Sequence, residues 1–130
     1  MHKRFLTWGA ILAGLAVALG AFGAHKLKEL VPPETVATFE TGVRYQMYHA
    51  LALLLAGLIA ERLPAVWIKR AAWCFLAGIL LFSGSLYLLT AFKATDTVGL
   101  SGLGAITPIG GVCFIAGWVC LAAGVRSIKV

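Results

Sequence analysis

The chain has 130 residues, 61% of them hydrophobic and only 12% charged, and a net charge of +6 from 11 Lys and Arg against 5 Asp and Glu. A soluble domain carries about 25% charged residues, and a chain this short has too little interior to hide so much apolar side chain from water. A lipid bilayer is therefore the expected solvent, and a soluble globular fold is excluded.

The basic residues sit at the ends of apolar runs, where they meet phospholipid head groups. No glycine-rich phosphate loop, zinc spacing or base-stacking pattern accompanies them. Membrane lipids are the expected partners, and nucleic acid is not.

A helix needs about 20 mostly apolar residues to cross the hydrocarbon, and four segments qualify. The first covers about 5–24, after the basic His2-Lys3-Arg4. A basic start and an apolar run also suit a signal peptide, but this run is longer than a signal needs, so it is expected to stay in the protein. An outer loop at about 25–40 follows. Its Pro32-Pro33-Glu34 breaks one helix and starts another. Val36, Phe39 and Val43 recur at helical spacing, so the second helix is expected to begin as an interfacial turn.

The second span covers about 41–60 and ends at Glu61-Arg62; a cytoplasmic loop at about 61–70 leads to the third span, about 71–92. An outer stretch rich in Gly, Ser and Thr, about 93–104, precedes the fourth span, about 105–125, which ends before Arg126 and Lys129. Residues 1–130 thus read as one membrane domain, an all-α bundle of four transmembrane helices. No internal repeat is visible, so a duplicated transporter architecture gains no support.

Orientation follows the Lys and Arg near the helix ends. Lys3, Arg4, Arg62, Lys69, Arg70, Arg126 and Lys129 fall on one side, seven in all, against Lys26, Lys28, Arg44 and Lys93 on the other. The seven are expected in the cytoplasm, with both termini.

At about 1.5 Å rise per residue, His49 and Ser83 each lie about 13 Å below the outer ends of their helices. Tyr45, Gln46, Tyr48, Ser85, Tyr87 and Thr107 lie above them, whereas the cytoplasmic half is nearly free of hydrogen-bonding side chains. Polar groups in hydrocarbon are costly unless paired, so they should face the bundle interior. At 100° per residue, Tyr45, His49, Ala52 and Ala56 share one face of the second helix, flanked by Thr41 and Gly42. The expected polar pocket comprises His25, Glu40, Arg44, Tyr45, Gln46, His49, Ser83, Ser85, Tyr87 and Thr107.

Glu40 and Arg44 stand four apart in the favourable order for an intrahelical ion pair; capping and head-group anchoring explain them better than anion binding does. His49 is the most informative of these residues, because a titratable ring at mid-depth is unusual. A neutral ring bonded to Ser83 or Tyr45 is the expected state. A metal would need further ligands, and haem would need His25 and His49 at one depth, so no cofactor is expected. The Glu and Asp residues lie apart at the interfaces, and no nucleophile with a base and an orienting group is evident, so no enzyme is expected. Cys74, Cys113 and Cys120 sit in apolar segments and read as small core hydrophobes. Helix 1 repeats small residues four apart, such as Ala10/Gly14 and Gly14/Ala18. This spacing allows close helix approach within the bundle or in a homo-oligomer.

Four motifs in order carry a resemblance over nearly the whole chain: Gly20-Ala21-Phe22-Gly23-Ala24-His25, the run 41–50 with Arg44-Tyr45-Gln46 and His49, Phe82-Ser83-Gly84-Ser85-Leu86-Tyr87, and Ile106-Thr107-Pro108-Ile109-Gly110-Gly111. Together they resemble the family of small multipass proteins catalogued as domain of unknown function 423 (DUF423, the YgdD/YwdK type). The resemblance implies a four-helix protein of the bacterial inner membrane and lends no activity. The expected role is structural or accessory, or the binding of lipid or a small ligand. The alternative is a small transporter or channel in which an oligomer builds a path around His49.

Overall fold

The computed structural model describes residues 1–96 and 102–129. Among them the chain is helical throughout, without a strand. Helix α1 covers Lys3–Ala24 and runs into a 3-10 turn, Lys26–Glu29. Helix α2 covers Pro33–Leu58. Helix α3 covers Ala65–Ala94, and a π turn at Ile79–Ser83 interrupts its α-helical winding. Helix α4 covers Leu103–Arg126.

Prolines set two of the starts. Pro33 takes the first position of α2 behind an extended Pro32 with ψ 158°, a place where the missing proline N–H costs nothing. Pro64, also extended, stands before α3. Both helices therefore begin well before their apolar spans, and Val36 and Phe39 belong to α2 proper. Lys69 and Arg70 lie on the opening turns of α3. Residues 97–101 of the expected outer stretch at 93–104 lie outside the described residues.

Helix α1 packs along α2, α2 along α3, and α3 along α4. The N-terminus of α1, the turn after α2, the start of α3 and the C-terminus of α4 gather at one end of the bundle. There the His2 backbone N–H donates to Gly57, and Gly124 abuts Trp67. This end also carries Lys3, Arg4, Arg62, Lys69, Arg70 and Arg126, and is called the basic end.

Near the basic end, Phe5, Ala52, Leu53, Ile68, Ala71, Ala72, Phe75 and Leu121 form the main core, drawn from all four helices. At the far end Leu27, Val31, Val36 and Phe39 form a second core. Outside these cores, Trp8, Ile11, Leu15, Val17, Leu51, Trp73, Leu80, Ile109, Val112, Ile115 and Val119 are exposed. A band of large apolar side chains this extensive requires lipid as its solvent. α1 with its following turn, α3 and α4 are each long and apolar enough to cross a membrane. α2, with Arg44, Gln46 and His49 along its first half, is not so by composition alone.

Lipid tails are as apolar as leucine, so these helices gain their association from close packing and interhelical hydrogen bonds. Two contacts illustrate the packing. A Cβ on Gly110 of α4 would collide with the Phe82 backbone of α3, and one on Gly117 would stand 2.6 Å from the Phe75 ring.

Candidate functional site

Helix α2 lies between α1 and α3, so its polar side chains reach neighbours on both sides. Gln46, 2% exposed, has each end of its amide engaged. Its Nε2 donates to the Leu12 carbonyl of α1 at 2.8 Å, and its Oε1 accepts from the Tyr87 hydroxyl of α3 at 2.7 Å. One side chain thus ties three helices together.

His49, 4% exposed, is held as completely. The Trp118 indole N–H of α4 donates to its Nε2 at 3.1 Å, and its Nδ1 lies 2.7 Å from the Tyr45 carbonyl. An indole nitrogen only donates and a carbonyl only accepts. The ring satisfies both when Nδ1 carries the proton and Nε2 is bare, which is a neutral imidazole. The Phe114 ring stacks on it with centroids 3.6 Å apart and planes 9° from parallel. Phe75 lies 5.7 Å away, centroid to centroid.

Ser83, fully buried, donates to the Gly42 carbonyl of α2 at 2.6 Å. It stands in the π turn of α3. A π turn inserts one residue and shifts the phase of the helix beyond it, and here it lies where α3 meets Gly42 on one side and Gly110 on the other. Ser85 donates to the Phe82 carbonyl at 2.8 Å and shares a bond of 2.5 Å with the Thr107 hydroxyl of α4. The cluster therefore contains Gln46, His49, Ser83, Ser85, Tyr87 and Thr107, linked through all four helices.

Of the remaining expected residues, Tyr45 joins it only through its carbonyl, and His25, Glu40 and Arg44 make no hydrogen bond to it. His25 is exposed at the end of α1, where its backbone N–H bonds Phe22. Tyr45 sits at the rim, 40% exposed, with its ring 4.7 Å from Phe82. Glu40 and Arg44 form no ion pair; the ion pairs among the described residues are Met1–Glu61 and Lys26–Glu29. Exposed i,i+4 pairs are worth only a few tenths of a kcal/mol, and Arg44 extends into its surroundings instead.

Of the two expected partners, His49 bonds Tyr45, through its backbone carbonyl, and not Ser83. Its other partner is Trp118, which the expected pocket lacks together with Phe114. A depth count along α4 was the available signal, since Phe114 lies ten residues in from Gly104, level with His49. Among the described residues no group of three or more His, Cys, Asp or Glu could hold a metal ion.

The family description "Protein of unknown function (DUF423)" matches residues 19–111. The chain belongs to the DUF423 family. Family relatives share nearly its full length. It is 47% identical over 120 residues to "UPF0382 membrane protein YwdK" of Bacillus subtilis, covering 92% of this chain and 93% of that one. It is 42% identical over 124 residues to a "UPF0382 membrane protein" of Haemophilus influenzae, covering 95% and 94%. With "UPF0382 membrane protein SSP2132" of Staphylococcus saprophyticus it shares 40% over 126 residues, 97% and 99% of the two chains. No solved structure matches the chain. The DUF423 chain is thus an all-helical membrane protein of a family without an assigned activity.

Proposed function

We propose that this is a non-enzymatic inner-membrane protein with a structural or accessory role, also able to bind membrane lipid, whose polar cluster clasps four spanning helices. The observation that carries the reading is the double engagement of His49. With Nδ1 facing a carbonyl and Nε2 facing an indole N–H, the ring keeps no nitrogen free for a proton relay, a metal or a substrate.

α2 crosses the membrane with the other three in this reading. Its 26 residues span about 39 Å at helical rise, and its Gln46 and His49 are buried, as polar groups of a spanning helix must be. The basic end faces the cytoplasm by the excess of Lys and Arg there. Self-association belongs to the same reading: Ala10, Gly14 and Ala18 of α1 are exposed, and the Cβ position of Gly14 has open space around it. Against a conduction path through His49 stands the apolar core below it, built from Phe5, Leu53, Ala72 and Phe75.

The test is a pair of measurements on His49→Gln. The clasp reading expects a lower thermal stability in detergent and no change of proton or solute leak in proteoliposomes. A wild-type flux that disappears in His49→Gln would overturn it in favour of a transporter.

A further inference from the structure

At the basic end side chains of α1 and α3 line a cleft of about 400 Å³, within the range of about 300–1,000 Å³ common to small-molecule sites. Phe5 forms its floor, Trp8 and Trp73 its walls, Leu76 its upper limit and Arg4 its rim. Phe5 is 3% exposed and fixed from both sides, by the His2 ring stacked at 3.8 Å and by the Trp73 indole edge-on at 6.4 Å. The walls are open: Trp8 is 52% and Trp73 62% exposed. Arg4 has no carboxylate partner among the described residues. Trp73 also lines a second cleft, whose rim carries Lys69 and Arg70.

We propose that this cleft is a specific binding site for one anionic phospholipid, with an acyl chain between the Trp8 and Trp73 indoles and the head-group phosphate on Arg4. The apolar floor and walls suit a hydrocarbon chain, and indoles sit naturally at the head-group level. An unpaired guanidinium at the rim binds a phosphate oxygen through charge-assisted hydrogen bonds. Lys69 and Arg70 beyond Trp73 extend the same positive field. A transmembrane helix fits this place poorly, because two projecting indoles keep a second backbone away. Close helix contact needs small residues, and those on α1 lie on another face, at Ala10, Gly14 and Ala18. The proposal deepens the lipid-binding part of the reading above and is independent of the His49 clasp.

Native mass spectrometry of the full chain in detergent tests it, with phosphatidylglycerol and phosphatidylcholine of matched chains as probes. The site predicts one saturable phosphatidylglycerol adduct, bound about tenfold more tightly than phosphatidylcholine, a difference of one decade in Kd. Arg4→Gln abolishes the preference, Arg4→Lys keeps most of it, and Trp73→Ala weakens both lipids. Arg126→Gln, at the same end but on α4, leaves it unchanged, and glycerol phosphate does not compete. Arg4 is exposed, so its variants keep the fold; Trp8→Ala provides a second wall variant should Trp73→Ala prove unstable. Equal affinity for the two lipids overturns the proposal, as does full preference in Arg4→Gln. An equal loss in Arg126→Gln would reduce it to unspecific charge attraction, and competition by glycerol phosphate would replace the lipid by a soluble phosphate. Each of these failures leaves the stability effect of His49→Gln, and with it the clasp, untouched.

Discussion

The Trp118 indole N–H of α4 donates to Nε2 of His49 on α2 at 3.1 Å, joining two helices that are not neighbours in sequence. The bond decides the chemical state of the ring. A proton on Nε2 would set two donors against each other, and the ring would have to leave its stack on Phe114 to find another acceptor.

Trp118→Phe keeps an aromatic ring and removes the donor. Interhelical hydrogen bonds in membrane proteins are worth about 0.6 kcal/mol on average and at most about 1.7. A loss of about 1 kcal/mol is expected in thermal or denaturant unfolding in detergent. The double variant with His49→Gln should lose less than the sum of the single ones, because the two residues share one interaction.

Gln46→Leu and Tyr87→Phe should both lower stability. Removing the Tyr87 hydroxyl leaves Oε1 of the buried Gln46 without its donor, and an unsatisfied buried polar group costs about 1–3 kcal/mol. Removing the Gln46 amide deletes its bonds to both the Leu12 carbonyl and the Tyr87 hydroxyl. The same unfolding assay measures both losses, and a Tyr87→Phe variant as stable as the wild type would contradict the network.

Two glycines offer a steric contrast. Gly110→Ala drives a methyl group into the Phe82 backbone, which cannot swing aside as a side chain can. Overpacking of this kind typically costs about 1–3 kcal/mol, so a clear fall in stability and folded yield is expected. Gly14→Ala meets nothing within 4 Å and should be neutral in a monomer, or slightly stabilising through helix propensity of about 1 kcal/mol.

Orientation is open to labelling. In a background without the native cysteines, an impermeant maleimide should reach Lys28→Cys from outside intact cells. It should reach Ser127→Cys only after permeabilisation. The opposite pattern would invert the topology drawn from the basic end.

The sequence makes the helices and their polar depth legible for physical reasons. Hydrocarbon thickness fixes span length, and a constant rise fixes level, so Gln46, His49, Ser83, Tyr87 and Thr107 fall into one half from counting alone. Partner identity is harder to read. One residue turns a helix by 100°, and the π turn at Ile79–Ser83 shifts the phase of α3 where Ser83 and Ser85 stand. Four of the acceptors, on Leu12, Gly42, Tyr45 and Phe82, are backbone carbonyls, which every residue carries and no sequence pattern marks. Trp118 looks like a lipid-facing tryptophan because it is 43% exposed, while its N–H is directed inward.

Nitrogen-15 chemical shifts of the His49 ring, measured on labelled protein in lipid bilayers between about pH 5 and 8, address the clasp most directly. The bonds to Tyr45 and Trp118 predict one neutral tautomer throughout, with the proton on Nδ1 and a bare Nε2. An imidazolium signal in that range, or the Nε2-protonated tautomer, would contradict it and put a titrating, unclasped histidine at the centre of the bundle.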